Sequence, residues 1–171
     1  MELEFEILKE NSKRNAVRIA RWIGNDQKRF GKLIHLLFTG EDRVAVRCAW
    51  IISHCAEQYP AIIKPWISTL VKHAGGKNVP QAVQRNVARV LQFIDIPRSH
   101  QGKVANLCFD FLQNPAIPVS VKVYSMTILA NIAKDEPDLK HEIVVVIEQM
   151  LPYGTAGFQS RARKVLIRLK K

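Results

Sequence analysis

Guanidinium groups recur at fixed offsets in the first half of this 171-residue chain. Arg14, Arg18 and Arg21 stand six before, two before and one after Ala20. Arg43, Arg47 and Trp50 hold the same places around Ala49, and Arg85 and Arg89 flank Ala88. A guanidinium is a planar fork of donors matched to the oxygens of phosphate or carboxylate, and a tryptophan beside it offers a plane for a base or sugar edge. Anion binding is the chemistry that these eight side chains can do, with His54 continuing the stripe. A second basic cluster, Arg161, Arg163, Lys164, Arg168, Lys170 and Lys171, ends the chain and reads as a solvated face.

Catalytic patterns are missing. The five histidines (His35, His54, His73, His100, His141) are scattered, with neither an HExxH spacing nor a Cys/His ligand set. Gly75-Gly76-Lys77 lacks the remaining glycine and the Ser/Thr of a phosphate loop, and no G-x-S-x-G occurs. No catalytic residue, cofactor site or metal ligand is assigned, and a non-enzymatic protein is expected. Cys48, Cys55 and Cys108 are odd in number and form no CxxC, as buried thiols of a reducing compartment would be. MELEFEILKE lacks the basic start and apolar stretch of a signal peptide. No apolar run reaches the roughly eighteen residues of a membrane span. A cytoplasmic chain with no membrane partner is expected. Apolar residues at 47% and charged ones at 24% argue against disorder. The net charge of +11 and pI near 9.9 speak to partners, with polyanions foremost, and not to fold.

The elements that position the arginines are helices. Five small residues, Ala20, Ala49, Ala88, Ser125 and Ala162, fall 29, 39, 37 and 37 residues apart. Each is followed three positions later by an aliphatic: Ile23, Ile52, Leu91, Ile128 and Val165. Such a pair lies on one helical face, where the small member lets a second helix approach, and its recurrence marks a repeat array. With that pair toward the core, the arginine positions fall on the far side or its flank. Breakers alternate: TGED, AGGKNVP, QNPAIP and PYGTAG precede the motif, while GND, QYP, IDIPRS and KDEPD follow it. First helices are therefore predicted at 2–10, 27–38, 60–73, 100–113 and 138–151. Second helices are predicted at 12–23, 43–58, 80–94, 118–133 and 157–170. Ser12, Asp26, Ser99 and Asp135 are predicted caps or near-caps. The β-branched run 143–147 is read as helix from its flanks.

Glu41-Asp42-Arg43-Val44-Ala45-Val46-Arg47-Cys48-Ala49-Trp50 resembles the second helix of a HEAT repeat, with its turn Asp, Val-Arg pair and following Ala; Asn15 to Ala20 repeats the pattern. The resemblance implies an all-α fold, a right-handed α-solenoid of about five HEAT-like two-helix repeats. It spans one domain, 1–171, with repeats near 1–24, 25–59, 60–96, 97–135 and 136–171. In that family the turn Asp and helix Arg form a structural ladder. Here only repeat two keeps both close together, at Asp42 and Arg47, so Arg18 and Arg47 suit a structural role as well as a binding one, and Trp50 suits gap-filling.

The second helices hold about fifteen Lys and Arg against Glu57, whereas Glu2, Glu4, Glu6, Glu10, Asp26, Asp110, Asp138, Glu142 and Glu148 sit on first helices and turns. Because second helices line the inner surface of such solenoids, the resemblance implies a basic concave face. The expected function is a scaffold that binds an acidic protein segment or other anionic partner there. The alternative is a DNA- or RNA-binding protein that contacts phosphates through the same arginines. A third reading compares the chain with alkylpurine DNA glycosylases, through the basic ramp, Trp22 and Trp50. It lacks their Asp on any second helix, and Asp110, on a first helix, should face away.

Overall fold

A computed structural model describes residues 2–170, so Lys171 of the C-terminal cluster lies outside the described residues. The chain divides after Ile94 into two compact units. The first holds α1 (Leu3–Lys9), α2 (Lys13–Ile23), α3 (Gln27–Thr39), α4 (Asp42–Gln58), a 3-10 segment (Pro60–Trp66) running into α5 (Ile67–Ala74), and α6 (Gln81–Leu91). The second holds α7 (Arg98–Gln113), α8 (Val119–Ile132), α9 (Leu139–Met150), a 3-10 turn (Leu151–Tyr153) and α10 (Ala156–Leu169). No strand occurs among the described residues, and 143–147 is helical.

In the first unit α4 lies between α2 and α6 and also packs on α3, α1 and the 3-10 segment. Eleven of its seventeen residues are buried, which makes it the central helix. In the second unit α8 packs on α7, α9 and α10. The small-residue column explains these approaches. Ala20, Ala49, Ala88, Ser125 and Ala162 are all buried, as are the five aliphatics three positions on. A side chain of one carbon on the helix surface leaves room for the neighbouring backbone. Ser125 serves as well as alanine because its hydroxyl donates to the Val121 carbonyl at 2.9 Å and so leaves no orphan group.

Helix starts follow local chemistry. The Ser12 hydroxyl accepts from the Asn15 N–H at 3.1 Å, and the Asp26 carboxylate accepts from the N–H groups of Lys28 and Arg29. Those bonds, that to Arg29 foremost, hold the Asp26 carboxyl below its ordinary pKa. Two predicted caps are not caps. α7 starts after Pro97, which leaves Ser99 inside its first turn. Asp135 belongs to the turn that closes α8, its N–H bonded to Ile132 O; α9 is preceded by Asp138. The predicted helix 60–73 also differs, since its first seven residues are 3-10. Pro60 and Pro65 have no N–H to give to an α-helical ladder, and the tighter turn tolerates the loss. Gln27 fastens this segment to α3, donating to Ile62 O and accepting from the Trp66 indole, each at 3.1 Å.

Cys48, Cys55 and Cys108 are buried and unbridged, and burial pushes each thiol up to about 12 from an ordinary 9.0. The native chain should therefore give no colour with Ellman's reagent at pH 8 and release three equivalents once unfolded in guanidinium. Because the folded thiols titrate above the unfolded ones, their contribution to stability is complete below pH 9 and declines as the pH climbs toward 12. Urea midpoints across that range check the sign.

Candidate functional site

The three helices α2, α4 and α6 expose equivalent stripes. Six before the small residue stand Arg14, Arg43 and Ala82; three before stand Val17, Val46 and Arg85; one after stand Arg21, Trp50 and Arg89. All nine are exposed or half-exposed. Arg89 of α6 pairs with Glu57 of α4, so these two stripes open on the same side. Along α2 runs a shallow groove of about 550 Å³ lined by Lys13, Arg14, Val17, Arg18 and Arg21.

The eight predicted site residues divide into two groups. Arg14, Arg21, Arg43 and Arg85 are exposed, and their guanidinium groups make no hydrogen bond or ion pair among the described residues. Arg18, Arg47 and Arg89 are engaged. Arg47 is buried, and its Nη1 donates to the carbonyls of Ile7 and Leu8 at 2.9 Å each, closing the C-terminal end of α1. It does not pair with Asp42, which has no ion pair among the described residues. Its expected place on an anion-binding face is thus corrected: the long arm folds back onto a helix end whose last carbonyls lack helical donors. Arg18 pairs with Glu6 and donates to Asn15 Oδ1 from Nε and Nη2, at 3.2 and 2.8 Å. Asn15 in turn is buried and donates to Glu6 O and Glu10 O. The position two before the small residue therefore serves the fold: Arg18, Arg47 and the buried Asn86, which donates to Ala82 O at 2.9 Å.

Trp50 is half-buried, with its ring centre 5.9 Å from that of the buried His54. His54 itself is buried, Nδ1 lying 3.3 Å from Glu57 Oε2. Trp22 is half-buried, with the Arg29 guanidinium over its ring, 4.5 Å from the centre. Asp110 is exposed on α7 in the second unit. Sequence reasoning missed Glu57 as the clamp on Arg89 and His54, although its i,i+3 spacing from His54 was visible. It also missed Val17 and Val46 as apolar members of the open face. The C-terminal cluster is only partly a solvated face. Arg161 donates to Thr127 Oγ1 at 2.8 Å and Arg168 to Ala130 O and Asn131 Oδ1, which ties α10 to α8, while Lys170 pairs with Glu148.

Among the described residues no group of three or more His, Cys, Asp or Glu can hold a metal ion, and no helix is long and apolar enough to cross a membrane. Helix pairs packed on a buried small-residue column, with arginine arms closing neighbouring helix ends, define an α-helical repeat protein. The chain belongs to the HEAT repeat domain family, which it matches over residues 4–169. No curated protein and no solved structure gives a match.

Replacing Arg47 by Met keeps its stem but orphans two carbonyls, so the expected loss is roughly 2–4 kcal/mol in urea unfolding. Arg14→Ala and Arg85→Ala remove no intramolecular bond and should shift stability by no more than about 0.5 kcal/mol. Equal losses at Arg14 and Arg47 would contradict this division.

Proposed function

We propose that this protein is a non-enzymatic interaction scaffold whose α2–α4–α6 stripes hold an acidic segment of a partner protein. HEAT repeats commonly serve protein interactions. The single observation that supports the finer reading is the set of four exposed arginines, Arg14, Arg21, Arg43 and Arg85, left without an intramolecular partner. Fold-serving cations are bonded; these are not.

Magnitudes favour a protein segment over a bare polyanion. An exposed ion pair contributes only about 0.2–1 kcal/mol, so four such contacts alone give weak, salt-sensitive binding. The half-exposed Val17, Val46 and Trp50 lie among the arginines and add apolar contact area, which suits an acidic segment carrying spaced aliphatic side chains. A phosphate backbone has nothing to place on the two valines. The five helix pairs are read as five repeats, the family match running over residues 4–169.

The test is fluorescence anisotropy with a labelled Glu-rich peptide bearing spaced leucines, set against a labelled 20-base-pair duplex, from low to physiological salt. The peptide should bind, and changing Arg14, Arg21, Arg43 and Arg85 together to Glu should abolish binding while the thermal midpoint holds. Arg18, Arg47 and Arg89 are unsuitable for this purpose because each already has acceptors within the fold. A duplex that binds with a steep log–log salt slope where the peptide fails would favour nucleic acid. No binding of either at low salt, or a quadruple variant that binds like the parent, would remove the proposal.

A further inference from the structure

The second unit contains a cleft of about 380 Å³ between the turn ahead of α8 and the turn ahead of α10. Its walls are Ile117, Val119, Met150, Tyr153 and Phe158, and one cation, Lys122, reaches it. Phe158 is buried and forms a fixed wall, because its ring lies against the Cα of Gly154; a Cβ added there would come 2.4 Å from Cδ1. Tyr153 stands at the rim, 89% exposed, and Val119 is 40% exposed. Large apolar groups are thus held open to solvent around a preformed recess.

Lys122 is half-buried, its ammonium makes no hydrogen bond or ion pair among the described residues, and no acid is among the residues lining the cleft. Glu148 is engaged by Lys170. Burial lowers the Lys122 pKa, as expected of an ammonium held beside apolar groups without a counter-charge. A carboxylate arriving there would restore the missing partner while an attached apolar group filled the recess.

We propose that this cleft is a docking site for a polypeptide segment of a partner protein in which a large apolar side chain adjoins a single carboxylate, the apolar group seated on Phe158 and Val119 and the carboxylate on Lys122. A polypeptide is favoured over a free metabolite by the scarcity of orienting groups. Small-molecule sites converge several polar groups on the ligand, whereas here Thr155 Oγ1 is taken as the acceptor for the Phe158 N–H and the exposed Gln149 is the one other neutral polar side chain of the lining. Orientation must come from chain outside the recess. The equivalent turns of the first unit form a cleft of about 490 Å³, but Asp42 lines it together with Lys72 and Lys77, so its charge has no single sign. The site lies in the second unit and does not depend on the arginine stripes.

The full ¹⁵N-labelled chain is titrated at millimolar concentration with the acetylated, amidated peptide Ser-Phe-Glu-Ser and its Phe→Ala and Glu→Gln forms. Saturable amide shifts should be confined to 117–122 and 150–158, with the Gln form about tenfold weaker and the Ala form not binding. Lys122→Met, which keeps the stem, should bring the Glu peptide down to the level of the Gln one without disturbing the remaining spectrum. Gly154→Ala should displace the Phe158 ring and abolish both. Absence of saturable shifts, equal affinity for the Glu and Gln forms, or shifts centred on α2 would each overturn the proposal. N-acetylphenylalanine binding as tightly as the peptide would assign the cleft to small carboxylates and overturn it equally.

Discussion

The last carbonyls of a helix have no donor of their own, and in this protein side chains from neighbouring elements supply the missing donors. Arg47 closes α1 at Ile7 and Leu8, Asn15 bridges Glu6 and Glu10, and Arg29 reaches the Trp22 carbonyl near the end of α2. Gln84 donates to Ala74 at the end of α5, and Arg168 to Ala130 in the last turn of α8. Each bond gives a donor to a carbonyl near a helix end, the buried and part-buried ones being costly to leave unmet, and each also fastens one helix to another. Where the donor is a guanidinium it meets the negative end of the helix dipole as well. Part of the basic excess of this chain is accordingly an architectural requirement.

That requirement explains which features could be read from the sequence. The small-residue column and the Gly/Pro breakers act over a few residues, and the helices they imply match the structure to within a residue or two at most ends. Two departures stand out: prolines at 60 and 65 tighten the start of one helix, and α6 ends at Leu91, three residues short of the predicted 94. The candidate site was less legible. Spacing assigns an arginine to a helix face, but not the direction its flexible arm takes. Arg47 answers to carbonyls about forty residues earlier in the chain, and Arg89 to a carboxylate thirty-two residues back. Such pairings exist only after the helices have stacked.

The outcome is a division of labour among cations that look alike in one dimension. Arg18, Arg47, Arg89 and Arg168 are bonded to oxygen acceptors within the fold, and Glu57 holds both a histidine and an arginine in place. Arg14, Arg21, Arg43 and Arg85 remain outside this network on surfaces punctuated by valine and tryptophan. A field of mixed basic and apolar positions on rigid helices differs from a uniformly charged one, because it rewards a partner whose own apolar groups fall into step.

The shortness of α1 has a separate consequence. Seven residues make about two turns, a length at which an isolated helix melts in water. Its helical state is therefore borrowed from α2 and α4 through Asn15, Arg18 and Arg47, and amide exchange in that segment should follow the opening of those joints and not the strength of its own hydrogen bonds. The amino-terminal turn behaves as a gauge of whether the first helix pairs are properly seated.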